Sequence, residues 1–263
     1  MVGRASGAES AHGTALSRVH AVMGTIVSFD VRVGEAEPSS VLVALSRACA
    51  RLDRADALFS TWKPNSPMSL LRSDVMPAAK APAEIGEVLE LCAVARDLSG
   101  GLFDPWRMPG GIDPTGLVKG WAADRVLAEL RAVGVSGAMV SAGGDLATCG
   151  GPGPGLAWRI GVRDPWAADK VACVVESPGA VATSGVYERG EHVIDPRTGR
   201  PQAGCVSATV TGPELWLADA LATGLLVGGT DSLELIEAIE GYEGYVISRT
   251  GAVAATGSFP TGR

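Results

Sequence analysis

An α+β fold is what this sequence predicts, and three observations carry the expectation. Apolar residues recur at helical spacing in three stretches of the first half. The second half instead holds six short strand-like runs, most of them bounded by Gly, Pro or Asp. Only two helical stretches interrupt those runs, so strands are grouped rather than alternating strictly with helices, which argues against a doubly wound sheet.

Taken in order, the first 18 residues are small and polar, and are expected to be loose. Residues 25–33 alternate, with Val27, Phe29, Val31 and Val33 on one face and Ser28, Asp30 and Arg32 on the other, which is the period of a half-buried strand. The period then changes. Leu42, Leu45, Cys49, Leu52 and Phe59 fall on one helical face, with Ser39 or Ser40 as N-cap. A second amphipathic helix is expected over 83–98 through Ile85, Leu89 and Cys92, ended by Gly100 and Gly101. A third runs over 118–133, with Trp121, Val126, Leu127 and Leu130 inward. Strands follow at 138–141, 158–162, 171–175, 206–210, 245–248 and 252–255, with helices at 215–227 and 232–239. No stretch is long and polar enough for a linker, so residues 19–263 are expected to form one domain.

Composition narrows the classes. About 46% of residues are apolar and 19% charged, as in globular chains. Lys and Arg total 22 against 29 for Asp and Glu, a net charge of 22 − 29 = −7. That balance argues against nucleic-acid or anionic-membrane partners, which favour basic surfaces. Any polyanionic ligand must therefore meet a local cation or a metal. The five cysteines are scattered with no CxxC, which reads as buried thiols in a reducing compartment. Residues 1–20 lack a signal-peptide core, and no apolar run approaches the roughly 20 residues of a membrane span. A soluble, cytoplasmic chain is expected, with a trimmed membrane tether left open.

Several segments carry polar groups in telling places. In Ala218-Asp219-Ala220-Leu221-Ala222-Thr223, Asp219 and Thr223 are four apart and share one helical face amid apolar neighbours. A buried carboxylate needs a cation or several donors, and hard oxygens on a preset face suit Mg²⁺. The same spacing also fits a helix cap and a hydroxyl bonded back to the backbone. In Asp113-Pro114-Thr115-Gly116-Leu117-Val118-Lys119-Gly120, Gly116 permits close approach of a ligand, and a helix N-terminus offers free N–H groups. Lys119 opposes the helix dipole there, so either an anion partners it or it is merely solvated. Gly101-Leu102-Phe103-Asp104 could cradle a planar ring, or form a plain loop. Gly143-Gly144-Asp145 reads as a tight turn. His192 is the one histidine well placed for imidazole chemistry, although taken alone it reads as structural. HExxH, Walker A and GxSxG patterns are missing.

The order of these pieces resembles the ApbE family, the FAD:protein FMN transferases. Met23-Gly24-Thr25, Phe59-Ser60-Thr61-Trp62 with Asn65-Ser66, Gly101 to Asp104, Asp113 to Gly120, Gly143 to Asp145, Thr183-Ser184-Gly185, His192 to Gly199 and Ala218 to Thr223 are collinear with that family's motifs. The resemblance implies an α+β fold related to the T-fold, with mixed or antiparallel sheets and packed helices. It implies transfer of FMN from FAD to a Thr or Ser hydroxyl of a partner flavoprotein, with AMP released. Water in place of that hydroxyl would give an FAD pyrophosphatase, and no turnover an FAD-binding protein. It also implies Mg²⁺, or another divalent ion such as Mn²⁺, on the Gly116 carbonyl, Asp219 and Thr223. Met23, Trp62, Leu102, Phe103, Asp104, Asp113 and Lys119 would line the FAD site. His192 would lie near the flavin or the acceptor, and Asp219 would act in catalysis through the metal. His192, Asp145 and Asp195 remain candidates for the base. Two departures stand out: Trp62 replaces a frequent Tyr, and the stretch from Asp104 to Asp113 is very short.

Overall fold

The computed structural model describes residues 6–10, 13–187 and 193–262. The chain opens with strands β1 (Ser6–Ser10), β2 (Gly13–Val22) and β3 (Thr25–Arg32). Helices α1 (Pro38–Phe59), α2 (Pro67–Arg72), α3 (Ala83–Leu98) and α4 (Thr115–Ala132) follow. Next come β4 (Gly137–Ala142), β5 (Asp145–Gly150), β6 (Arg159–Arg163), β7 (Val171–Glu176) and β8 (Ala180–Gly185). Two-residue strands β9 (Ile194–Asp195) and β10 (Arg200–Pro201) lead into β11 (Cys205–Gly212). Helices α5 (Leu215–Gly228) and α6 (Leu233–Glu237) precede β12 (Glu243–Ser248) and β13 (Val253–Ala255).

Among the described residues, nine strands form one sheet in the order β1-β2-β3-β4-β5-β8-β11-β12-β13. Every pair in it is antiparallel. The α+β expectation holds. Helices α1, α4 and α5 cover one face, in a core that takes Val27, Phe29 and Val31 from β3, Val33 just after it, Leu45 and Leu52 from α1, and Leu221 and Leu225 from α5. On the other face the β6–β7 hairpin adds a second cluster around Trp158, Val162, Val175 and Phe259. Among the described residues no helix is long and apolar enough to cross a membrane. All five cysteines are free thiols, four of them buried.

The structure corrects the opening of the chain. Residues 13–18, expected to be loose, belong to β2, which pairs with β3 from Ala15↔Arg32 to Val22↔Thr25. Its inward positions include Arg18 and His20, which reach Ser46 and Asp53 of α1 instead of presenting an apolar stripe. Glu37, not Ser39 or Ser40, caps α1. The third helix begins at Thr115 rather than at 118, so Gly116 lies in its first turn rather than ahead of it.

Helix α5 is buried around most of its surface, as its nearly uniform apolar sequence requires. Its partner α4 comes very close. A Cβ on Gly120 would sit 2.5 Å from the Leu215 carbonyl oxygen and 2.8 Å from the Trp216 Cα. Gly120→Ala is therefore expected to force the helices apart and lower stability by about 1–3 kcal/mol. Chemical denaturation measures it, and an unchanged midpoint would show that the helices yield freely.

Candidate active site

Helix α4 owes its start to Asp113. One carboxylate oxygen accepts from the Thr115 amide at 3.0 Å and the Thr115 hydroxyl at 2.6 Å, organising the first turn. The other oxygen takes Arg72 Nη1 at 3.2 Å. Helix α5 is started from outside itself. Asp124 on α4 accepts the Leu215 and Trp216 amides at 3.1 and 2.8 Å, and these would otherwise be unpaired at a helix end. Burial pushes the Asp124 carboxyl up to about 6. The two helices are thus fixed in register by a shared carboxylate and a glycine contact.

That register brings charges together at their N-terminal halves. Lys119 Nζ donates to Asp145 Oδ2 and lies 3.7 Å from Asp219 Oδ2. The carboxylates are nearly inaccessible, and Lys119 is a quarter exposed. The Gly120 amide, which an α-helix directs at the Gly116 carbonyl, donates to Asp219 Oδ2 at 3.3 Å. Burial pushes the Asp219 carboxyl upward, Lys119 opposes that rise, and Asp145 adds to it. Thr223 Oγ1 donates to the Asp219 carbonyl at 3.2 Å and shares a hydrogen bond with Ser184 Oγ, also at 3.2 Å. The back-bond anticipated as the plain alternative for Thr223 does form. Asp219 does not cap its own helix; it faces α4.

Asp145 also opens the sheet. Strands β5 and β8 pair only at Leu146↔Val181 and Ala147↔Ala180. Beyond that, Asp145 Oδ1 takes the Thr183 amide at 3.0 Å, and the strands diverge. The fork forms one wall of a cavity of about 260 Å³, bordered by Leu102, Phe103, Asp104, Asp113, Gly116, Lys119, Asp145, Asp219 and Thr223 among others. A second cavity, about 610 Å³, lies between α1 and the start of α4 and is bordered by Met23, Phe59, Trp62 and Lys63. Thr115 and Lys119 border both. The two hollows therefore meet at the first turns of α4.

The glycines after α3 shape the floor of the smaller cavity. Gly100 and Gly101 have φ of +61° and +79°, a conformation open to Gly at little cost, and they turn the chain back onto α5. Ser99 Oγ then receives the Phe103 amide at 3.1 Å, setting the ring against the cavity. Phe103 Cε2 would lie 3.2 Å from a Cβ on Gly116, and Thr223 Oγ1 3.9 Å from it, so only glycine leaves this corner open.

The candidate residues thus sort into two groups around one lysine. Leu102, Phe103, Asp104, Asp113, Gly116, Asp219 and Thr223 border the smaller cavity, Met23 and Trp62 the larger one, and Lys119 both. His192 lies outside the described residues. Asp195 is held by Arg197 in two bonds of 2.9 Å, which keeps its carboxyl below the usual range, and it does not border either cavity. Sequence reasoning missed Arg72 and Asp124. For Asp124, a carboxylate on the helix that carries Trp121 and Leu127 was a readable signal; for Arg72 there was none.

The geometry can be set beside known proteins. The model of the ApbE family matches residues 23–110 and 107–246. The chain is 37% identical to the FAD:protein FMN transferase of Rhodobacter capsulatus over 55% of its length, and 36% identical to that of Escherichia coli K12 over 53%. The matched stretches cover 29% and 43% of those proteins, less than half of either. In fold, it is similar to the flavin transferase ApbE from Vibrio cholerae, with TM-score 0.79 and 23% identity over 97% of this chain and 99% of that one. The ApbE protein of Thermotoga maritima gives 0.76 and 24% over 91% and 96%. With the family's model matched across most of its length, the chain belongs to the ApbE family.

Proposed function

We propose that this chain transfers FMN from FAD to a Thr or Ser hydroxyl of a partner flavoprotein, releasing AMP. One observation carries the reading: two cavities joined at a helix start where Lys119 stands beside Asp219 and Thr223. A dinucleotide has two bulky ends and a central diphosphate, and this arrangement matches that division. The Lys119 ammonium suits the diphosphate, which an acidic protein must otherwise repel. The names of the relatives, FAD:protein FMN transferase, support the same chemistry.

The donors fit a hard divalent ion. Gly116, Asp219 and Thr223 border one cavity, and the Gly120 amide that would serve the Gly116 carbonyl is shared with Asp219. Among the described residues no group of three or more His, Cys, Asp or Glu gathers, so such an ion would rest on one carboxylate, a hydroxyl and a carbonyl. That is the sparse set Mg²⁺ accepts when substrate phosphates and water complete its shell. When bound, Mg²⁺ supplies charge neutralisation at the diphosphate. Lys119 binds phosphate oxygen, Asp145 orients Lys119, and Phe103 with Leu102 excludes water from one side. The acceptor oxygen forms a bond to the FMN phosphorus as the bond to the AMP oxygen breaks, and the acceptor proton leaves to a base. The five free thiols support a reducing, cytoplasmic setting.

Incubation with FAD, Mg²⁺ and flavoproteins of the same cell tests this. The expected outcome is an FMN mass increment on a Thr or Ser of one of them, with equal AMP. AMP with free FMN and no adduct would instead mark a pyrophosphatase, and stable FAD binding without AMP a carrier.

A further inference from the structure

The short segment between Asp104 and Asp113 walls the smaller cavity through Asp104, Pro105, Met108 and Asp113, yet has no long element to stiffen it. Its own bonds close it on itself: Asp104 accepts the Trp106 amide at 3.0 Å, and the Asp113 amide reaches the Pro105 carbonyl at 2.9 Å. Outward ties come from two arginines. Arg96 lies 5.1 Å over the Trp106 ring. Arg72, at the end of α2, commits all three guanidinium nitrogens to the segment. Nε donates to the Gly110 carbonyl at 2.7 Å, Nη2 to the Pro109 carbonyl and Nη1 to Asp113 Oδ2 at 3.2 Å. Arg72 is only 19% exposed and borders neither cavity.

We propose that Arg72 is a positioning residue for flavin binding, a clasp from α2 that holds the 104–113 segment in place as the cavity wall. The inference rests on the FAD reading above. A planar fork holds two carbonyls and a carboxylate at once, whereas an ammonium is a single point charge that cannot match that geometry. Loss of the clasp leaves a wall that must be ordered when ligand enters, so the cost falls on affinity. Lys119, Asp219 and Thr223 stand on the α4–α5 pair, which Arg72 does not hold together, so the chemical step keeps its groups.

The test measures FAD binding by flavin fluorescence quenching for the unaltered chain, Arg72→Lys and Arg72→Ala, with KM for FAD and kcat from AMP release. Both variants are expected to weaken binding and raise KM by about fivefold or more, with kcat held within about twofold. Arg72→Lys should be nearly as impaired as Arg72→Ala despite its retained charge. It also decides the matter if Arg72→Ala does not fold. Affinity in Arg72→Lys within twofold of the unaltered chain, or a fall in kcat at unchanged KM, overturns the clasp alone. No saturable FAD binding by the unaltered chain overturns the flavin reading, and the clasp with it.

Discussion

Asp219→Ala is expected to lower AMP release from FAD by roughly 10²–10³-fold, the scale of removing one preorganised charge-stabilising group from a transition state. The expectation follows from placement. Asp219 is the carboxylate of the Gly116–Asp219–Thr223 corner, 4% exposed, with its Oδ2 turned to α4 and its neighbour Lys119. Stability should move the other way or hardly at all. Burial already disfavours the Asp219 anion, and its removal relieves crowding with Asp145. Steady-state AMP release over a range of Mg²⁺ concentrations, alongside urea unfolding, separates the two effects. Activity near that of the unaltered chain would refute the metal assignment, whereas collapse of the fold would show that Asp219 serves structure first.

Lys119→Met is expected to act with opposite signs on two ligands. Lys119 is the cation standing between Asp145 and Asp219, and it borders both cavities. Without it, FAD binding should weaken by at least about tenfold, since one charge-assisted phosphate contact is worth roughly 1.5–3 kcal/mol. Mn²⁺ binding without FAD should instead tighten, because the ammonium no longer competes for the carboxylates. Asp145 would be left buried without its cation, at a cost of about 3 kcal/mol. Lys119→Met/Asp145→Asn should recover much of that stability and none of the FAD affinity. Titration calorimetry with Mn²⁺ and with FAD reads both signs. Weaker Mn²⁺ binding in Lys119→Met would show that the lysine organises the carboxylates rather than competing at them.

How much of this was legible in the residues depended on what each one faces. Strand β3 was readable because Val27, Phe29 and Val31, with Val33 just after it, meet the core while their neighbours do not. Strand β2 was hidden, since its inward Arg18 and His20 satisfy polar partners on α1 and so break the expected alternation. Strand β8 was hidden for another reason. Ala180, Val181 and Ala182 are buried on both faces of the sheet, which removes the period-2 signal altogether. At the candidate site, the Asp219–Thr223 face and Lys119 were readable because local spacing sets them. The fork between β5 and β8, the clasp from Arg72 and the cap from Asp124 were not. Each joins residues far apart in the chain, and no periodicity reports such a meeting. The opening of α4 lay between these cases, since the Asp-Pro-Thr-Gly stretch announced a helix start but the first turn came earlier than the apolar pattern.

The dependence of α5 on Asp124 bears on the order of folding. A helix whose first amides are satisfied by a residue of another helix gains little from forming alone, however apolar its sequence. Docking against α4 must therefore accompany its nucleation, and the oxygen pair it carries assembles only when that long-range encounter is complete. The chain cannot acquire that corner piecemeal: until the two helices meet, Asp219 and Thr223 of α5 stand apart from Gly116 and Lys119 of α4.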